Sequence, residues 1–165
     1  MATEHGIPAL ASLPEPPKPR GSYTPVLIHD GIAYVSGQVS RIGDDVISGC
    51  LRAGDDLTKA REAARVSALR CLSALAHAVS GLGQVRQILN VRGFVNSEPS
   101  FAAHAQVLDA ASEVFLEALG DRGRHARIAL GVSSIPNGGL VEIELTAAVN
   151  SISSSVPSTE PLSKS

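Results

Sequence analysis

Apolar and polar positions change their spacing several times along the chain, and each change marks an element. Val26–His29 and Ile32–Ser36 are short β-prone runs on either side of Asp30-Gly31, a dipeptide that favours a two-residue hairpin turn. A further short strand is expected around Val46, with Gly49 and Gly54 as breaks. From Asp56 to Val79 the period becomes helical: Ala64, Ala68, Cys71, Leu75 and Val79 share one stripe, while Lys59, Glu62 and Arg70 point elsewhere. Asp55 or Asp56 can cap this helix, and Gly81 ends it. Val85–Val95 reads as a strand. A second amphipathic helix is expected from about Ser100 to Leu119, capped by Ser97, with Val107, Ala110, Ala111, Val114 and Ala118 on its buried side and Gly120 as its stop. Arg127–Val132 and Leu140–Val149 are strands separated by a turn holding Pro136 and Asn137-Gly138. The order β-β-(β)-α-β-α-β-β predicts an α/β (α+β) fold, a mixed sheet with both helices packed on one face.

The ends break this pattern. Leu13–Gly21 holds four prolines, which favour an extended path and cannot enter a sheet interior. Ser151–Ser165 holds seven serines and two prolines, too little apolar surface to fold, and is expected to be mobile. The division is therefore an N-terminal segment, residues 1–12, a single domain, 13–150, and a disordered tail, 151–165.

Composition narrows the classes. Of the 165 residues 44% are hydrophobic and 18% charged, a globular balance, and the length supports one domain with a real core. Only 3% are aromatic and Trp is absent, so the core must be built from Ala, Val, Leu and Ile. A net charge of −2 is not the footprint of a nucleic-acid binder, and stacking platforms are scarce. No run approaches a membrane span, and Met1–Leu10 lacks a basic leader. Cys50 and Cys71 make no CxxC spacing, which together with the missing leader predicts a reducing, cytoplasmic setting. The histidines make no metal-binding spacing, so no metal site is expected.

The residues with the most chemistry lie near the C-terminus. Alternation places Arg127 and Ala129 on one face of their strand, and Glu142 and Glu144 on one face of the last strand. If these strands pair through the Asn137-Gly138-Gly139 turn, Arg127 and the glutamates share a face. Pattern alone leaves two readings open, a structural ion pair or a ligand site. Arg122, Arg124 and His125 read as a polar turn ahead of the Arg127 strand.

The segment His125-Ala126-Arg127-Ile128-Ala129-Leu130-Gly131-Val132, then Ile135-Pro136 and Val141-Glu142-Ile143-Glu144, resembles the C-terminal signature of the Rid/YjgF family, the reactive intermediate deaminases, also called endoribonuclease L-PSP. Gly21-Ser22-Tyr23, Ser36-Gly37-Gln38, Gly93-Phe94-Val95-Asn96-Ser97 and Phe101 are similar to further family motifs in the same order. The run Val107–Phe115 followed by Gly123–Arg127 resembles a divergent branch of that family. The resemblance covers about Leu13 to Val149. It implies a homotrimer of chorismate-mutase-like subunits with ligand clefts between them. It also implies hydrolysis of 2-imino or enamine acids to 2-keto acids and ammonia without a cofactor.

By the same resemblance Arg127 matches the arginine that grips the substrate carboxylate. Glu142 matches the glutamate that positions or activates water. Tyr23 and Ser36 match a pair lining the cleft, Gly37 matches a glycine whose backbone approaches the ligand, and His125 is a further candidate for the cleft wall. Two positions depart: Ala129 stands where the deaminases usually have cysteine, and Asp109 falls about where they often have asparagine. Both departures are consistent with a different or bulkier acid.

The residue types suit the chemistry independently. A guanidinium meets a carboxylate bidentately and keeps its charge when buried. An imine carbon is already electrophilic and needs a held substrate, an oriented water and a base. Competing readings are a keto-acid binding protein, an endoribonuclease and a chorismate mutase. Glu142 favours catalysis over anion binding, because an anion gains nothing from a nearby carboxylate.

Overall fold

The computed structural model describes residues 13–150. Seven strands and two helices follow one another as β1 (Val26–His29), β2 (Ile32–Val39), β3 (Arg41–Ile42), β4 (Asp45–Val46), α1 (Thr58–Val79), β5 (Val85–Asn96), α2 (His104–Leu119), β6 (Ala126–Val132) and β7 (Val141–Val149). Five of the strands form one sheet in the order β1-β2-β7-β5-β6, and β3 pairs only with β4. Within the sheet β5 and β6 are parallel, and the other neighbours are antiparallel. This is the expected mixed α+β architecture. The expected tail at 151–165 and the segment 1–12 lie outside the described residues.

Local chemistry accounts for the turns. Asp30 and Gly31 both take positive φ, 49° and 74°, as the tight β1–β2 hairpin demands. Asp56 accepts the amide of Thr58 at 2.9 Å and so satisfies a donor in the first turn of α1. At the other end Ser80 is left-handed at φ 60°, and Gly81 follows it out of the helix. Ser97 does not cap α2. Its amide donates to Val132 O at 3.1 Å, so the sheet claims it, and its hydroxyl meets His104 Nε2 at 3.2 Å. The helix therefore starts later than expected, at His104, behind a turn that buries Phe101.

Both helices cover one face of the sheet, against Val91, Val95, Val141, Ile143, Leu145 and Ala147. Gly93 permits the closest approach, since a Cβ there would collide with the Leu108 side chain of α2. Helix α1 buries more than the one stripe its period suggests, Val66, Leu69 and Ser73 included. The reason is the proline-rich segment. Leu13 packs on the core, and Ser73 donates its hydroxyl to Pro14 O at 2.5 Å, so this stretch runs along a second side of α1.

The other face of the sheet has no covering layer among the described residues. Register places Leu27, Tyr34, Ile128 and Leu130 on it, and all four are large apolar or aromatic side chains left exposed. Arg92 and Glu144 cross it as an ion pair at 2.7 Å.

Candidate active site

The β6–β7 pairing that would set Arg127 beside the glutamates does not form. Strand β5 lies between the two, parallel to β6 and antiparallel to β7. In that register Arg127 is in line with Val91 and Leu145, which face the helices, while Glu142 is in line with Phe94 and Leu130 on the open face. Arg127 and Glu142 therefore sit two strands apart and on opposite faces of one chain. The glutamate that does meet an arginine across strands is Glu144, and its partner is Arg92 rather than Arg127.

Glu142 occupies a specific niche. The β1–β2 register ends at Val35, with Ser36 N still donating to Pro25 O at 2.9 Å, and the β2–β7 register shifts between Val35 and Gln38. At this irregularity lies Gly37, and a Cβ built on it would come within 3.0 Å of Glu142 Cδ. The missing side chain leaves a window through which the carboxylate reaches a cavity of about 320 Å³, lined also by Tyr23, Gln38, Arg41, Arg70 and Asn137. Glu142 is half-buried and makes no ion pair or hydrogen bond with a described side chain. Burial, and secondarily the negative charge of Glu144, push its carboxyl above the usual carboxylate range. A desolvated and unpaired carboxylate of this kind can exchange protons with a ligand or a water.

Three of the expected residues thus meet at one cavity: Tyr23, Gly37 and Glu142. Ser36 is beside them but engaged, its hydroxyl donating to Thr24 O at 2.7 Å and tying the Tyr23 loop to β2. Tyr23 is half exposed, and its hydroxyl accepts from Arg20 N at 3.4 Å.

The remaining four gather around α2 instead. Arg127 donates to Asp109 at 2.9 Å and to Ser112 Oγ at 2.8 Å. Ala129, one residue pair along the same face of β6, is in line with Gly93 and packs on the core. His125 lies behind Arg127. Its Nδ1 donates to Gly123 O, which leaves Nε2 to accept from Ser112 Oγ at 3.0 Å. Burial holds the imidazole below its ordinary value despite the Gly123 hydrogen bond, and the Arg127 charge adds to the depression. A neutral His125 and Ser112 thereby brace the guanidinium. The neighbouring arginines are dispersed: Arg122 donates to Val85 O at 2.6 Å and Arg124 to Asp121 at 3.0 Å.

Sequence reading missed Gln38, Arg41 and Arg70 in the cavity wall. Arg70 interrupts the apolar positions of α1 between Leu69 and Cys71, which was the available signal.

The model of the family described as "YjgF/chorismate mutase-like, putative endoribonuclease" matches residues 5–149. The chain belongs to the YjgF family. The sequence is similar to that of Protein TCP17 of Trypanosoma cruzi, 34% identical over 142 residues, covering 84% of this chain and 88% of that protein. The fold is similar to that of Atu1372 from Agrobacterium tumefaciens, a protein of unknown function, with a TM-score of 0.76 and 31% identity over 81% of this chain and 86% of that one. It is also similar to a Shewanella oneidensis protein described as a putative endoribonuclease, with a TM-score of 0.78 and 29% identity over 84% and 92%. Membership in the YjgF family carries the chorismate-mutase-like fold, which the sheet order and the one-sided helix layer reproduce.

Proposed function

We propose that this YjgF protein hydrolyses 2-imino or enamine carboxylic acids to 2-keto acids, with Glu142 positioning or activating the attacking water. The observation that carries this reading is the half-buried Glu142 carboxylate, without an ion-pair partner among the described residues, beside Gly37 at the mouth of a cavity. In the reaction the water oxygen bonds to the imine carbon, the carbon–nitrogen bond breaks, and the nitrogen leaves as ammonia carrying the protons that water and the imine supply. A carboxylate with a raised pKa suits the transfer of those protons, a contribution of about 10²–10⁴-fold.

The substrate carboxylate is assigned to Arg127 of a second copy. Within one chain Arg127 and Glu142 stand on opposite faces, so a cleft holding both needs two subunits. The uncovered sheet face, with Leu27, Tyr34, Ile128 and Leu130 exposed, supports a homotrimer that buries these side chains against its own copies. No cofactor enters the reaction. Among the described residues no helix is long and apolar enough to cross a membrane. The free cysteines, Cys50 exposed and Cys71 buried, fit a reducing, cytoplasmic compartment.

The test is a coupled assay in which an amino-acid oxidase generates imines. Addition of the protein is expected to speed keto-acid and ammonia release, and Glu142→Gln is expected to remove the effect. Keto-acid release at the spontaneous rate across a panel of imines overturns the reading.

A further inference from the structure

We propose that Arg41 and Arg70 form an anion subsite beside the Glu142 cavity, which receives a second negatively charged group on the substrate. The inference deepens the proposed deaminase reading and rests on it for the reacting centre: the substrate class becomes an imino acid with a second carboxylate or a phosphate.

Position comes first. Two cavities, of about 320 Å³ and about 570 Å³, share a wall that contains Lys18, Arg20, Arg41 and Arg70. The smaller cavity holds Glu142 and Gly37, so an acid reacting there extends its far end towards the arginines.

Burial without a counter-ion comes second. Arg41 is only 7% exposed and makes no ion pair with a described residue. Arg70 donates one terminal nitrogen to Gln38 Oε1 at 3.3 Å, while its Nε is a buried donor with no partner, the only such side-chain atom among the described residues. Carboxylates are near but committed elsewhere or out of reach. Asp44 is held by Arg20 at 2.7 Å, and neither Glu15 nor Glu142 pairs with Arg41 or Arg70. Desolvation lowers the pKa of the Arg70 guanidinium, and the positive charges of Arg41 and Arg20 lower it further.

Two like charges held together and partly desolvated are costly in the free protein. The cost is offset when a ligand brings the missing anion. Each guanidinium offers a planar fork that suits carboxylate and phosphate alike. Arg127 is already assigned the substrate's first carboxylate, and it lies against α2 with Asp109 and Ser112 rather than in the wall shared by the two cavities.

The experiment is calorimetry on the full chain with 2-oxoglutarate and with 2-oxopentanoate, which has the same carbon count and lacks the second carboxylate. The dicarboxylate is expected to bind at least about tenfold more tightly. Arg70→Met keeps the apolar stem and is expected to erase that preference while leaving the monocarboxylate unchanged, and Arg41→Met to do the same. Inorganic phosphate that competes with 2-oxoglutarate in the wild type and not in Arg70→Met upholds the subsite and assigns it to a phosphoryl-bearing acid. The subsite is overturned if the wild type holds both keto acids alike and phosphate does not bind, or if the preference survives in both variants. Binding is read without turnover, so a preference without deamination sinks the enzymatic reading alone. Deamination with neither a dicarboxylate preference nor phosphate binding sinks the subsite alone.

Discussion

The carboxylate of Glu142 lies against the α-carbon of Gly37, in the space that a side chain at position 37 would need. Gly37→Ala should therefore push the carboxylate out of its niche. The expected result is a turnover loss of about 10²-fold, the scale set by misplacing a catalytic group by an ångström. The fold should survive, because the colliding atoms belong to the end of a flexible side chain and Gly37 does not require positive φ. A cost of about 1–3 kcal/mol is expected in chemical denaturation, as for other overpacked sites. Full activity in Gly37→Ala would show that the close approach has no part in catalysis.

Glu142→Gln is expected to lose about 10²–10⁴-fold in turnover and to gain stability at neutral pH. The folded carboxyl titrates above the ordinary glutamate value of 4.5. Between that value and the folded one, the native state binds more protons than the unfolded state, so stability falls as pH rises through this window. The glutamine has no charge to desolvate and escapes that loss. Thermal melts should place Glu142→Gln above wild type at pH 7, with the difference vanishing below about pH 4.5. A variant less stable than wild type at pH 7 would show that the carboxylate is structurally engaged.

Arg127 is ion-paired with Asp109, whose side chain is 54% exposed. Pairs with so exposed a partner contribute about 0–1 kcal/mol, so an incoming carboxylate can displace Asp109. Asp109→Asn should tighten binding of simple keto acids by about 2–5-fold, within that same range. Arg127→Ala should abolish binding while circular dichroism stays native. Unchanged affinity in both variants would return Arg127 to the role of a structural ion pair.

Light scattering should give three times the 17.0 kDa mass of one chain. Glu142→Gln and Arg127→Ala should also complement each other. If each cleft takes its glutamate from one subunit and its arginine from the next, random mixing restores about a quarter of the sites. Mixtures as inactive as their components would place the whole site in one chain, or nowhere.

Much of the fold was legible from local pattern. Asp30-Gly31 fixed a hairpin, Gly120 closed α2, and the stripe through Ala64, Cys71 and Leu75 is buried as its period requires. Strand order was less accessible. The β5–β6 pairing is parallel and joined through α2, and nothing in the period of β6 or β7 reports that a third strand lies between them. A shared face for Arg127 and Glu142 needs a β6–β7 pairing that chain order suggests and the sheet does not make. Gly37 and Glu142, in contrast, lie on β2 and β7, which are direct neighbours in the sheet. Arg70 lies off the one apolar stripe that the helical period marks, whereas a second side of α1 meets Leu13 and Pro14 and lines a cavity with the residues that follow them.

That proline-rich covering stretch makes none of the ladder hydrogen bonds of the sheet, yet it supplies a wall to both cavities. Lys18 can therefore change without disturbing a strand pair or a helix contact, whereas Arg20 also holds Asp44 in the β3–β4 turn. Chemistry and selectivity are mounted on different parts of the polypeptide: the carboxylate is fixed by the sheet, and the shape and charge around it are set by an appended strip. Ligand preference can drift among proteins with this sheet by rewriting a handful of residues ahead of β1, leaving the reacting centre as it is.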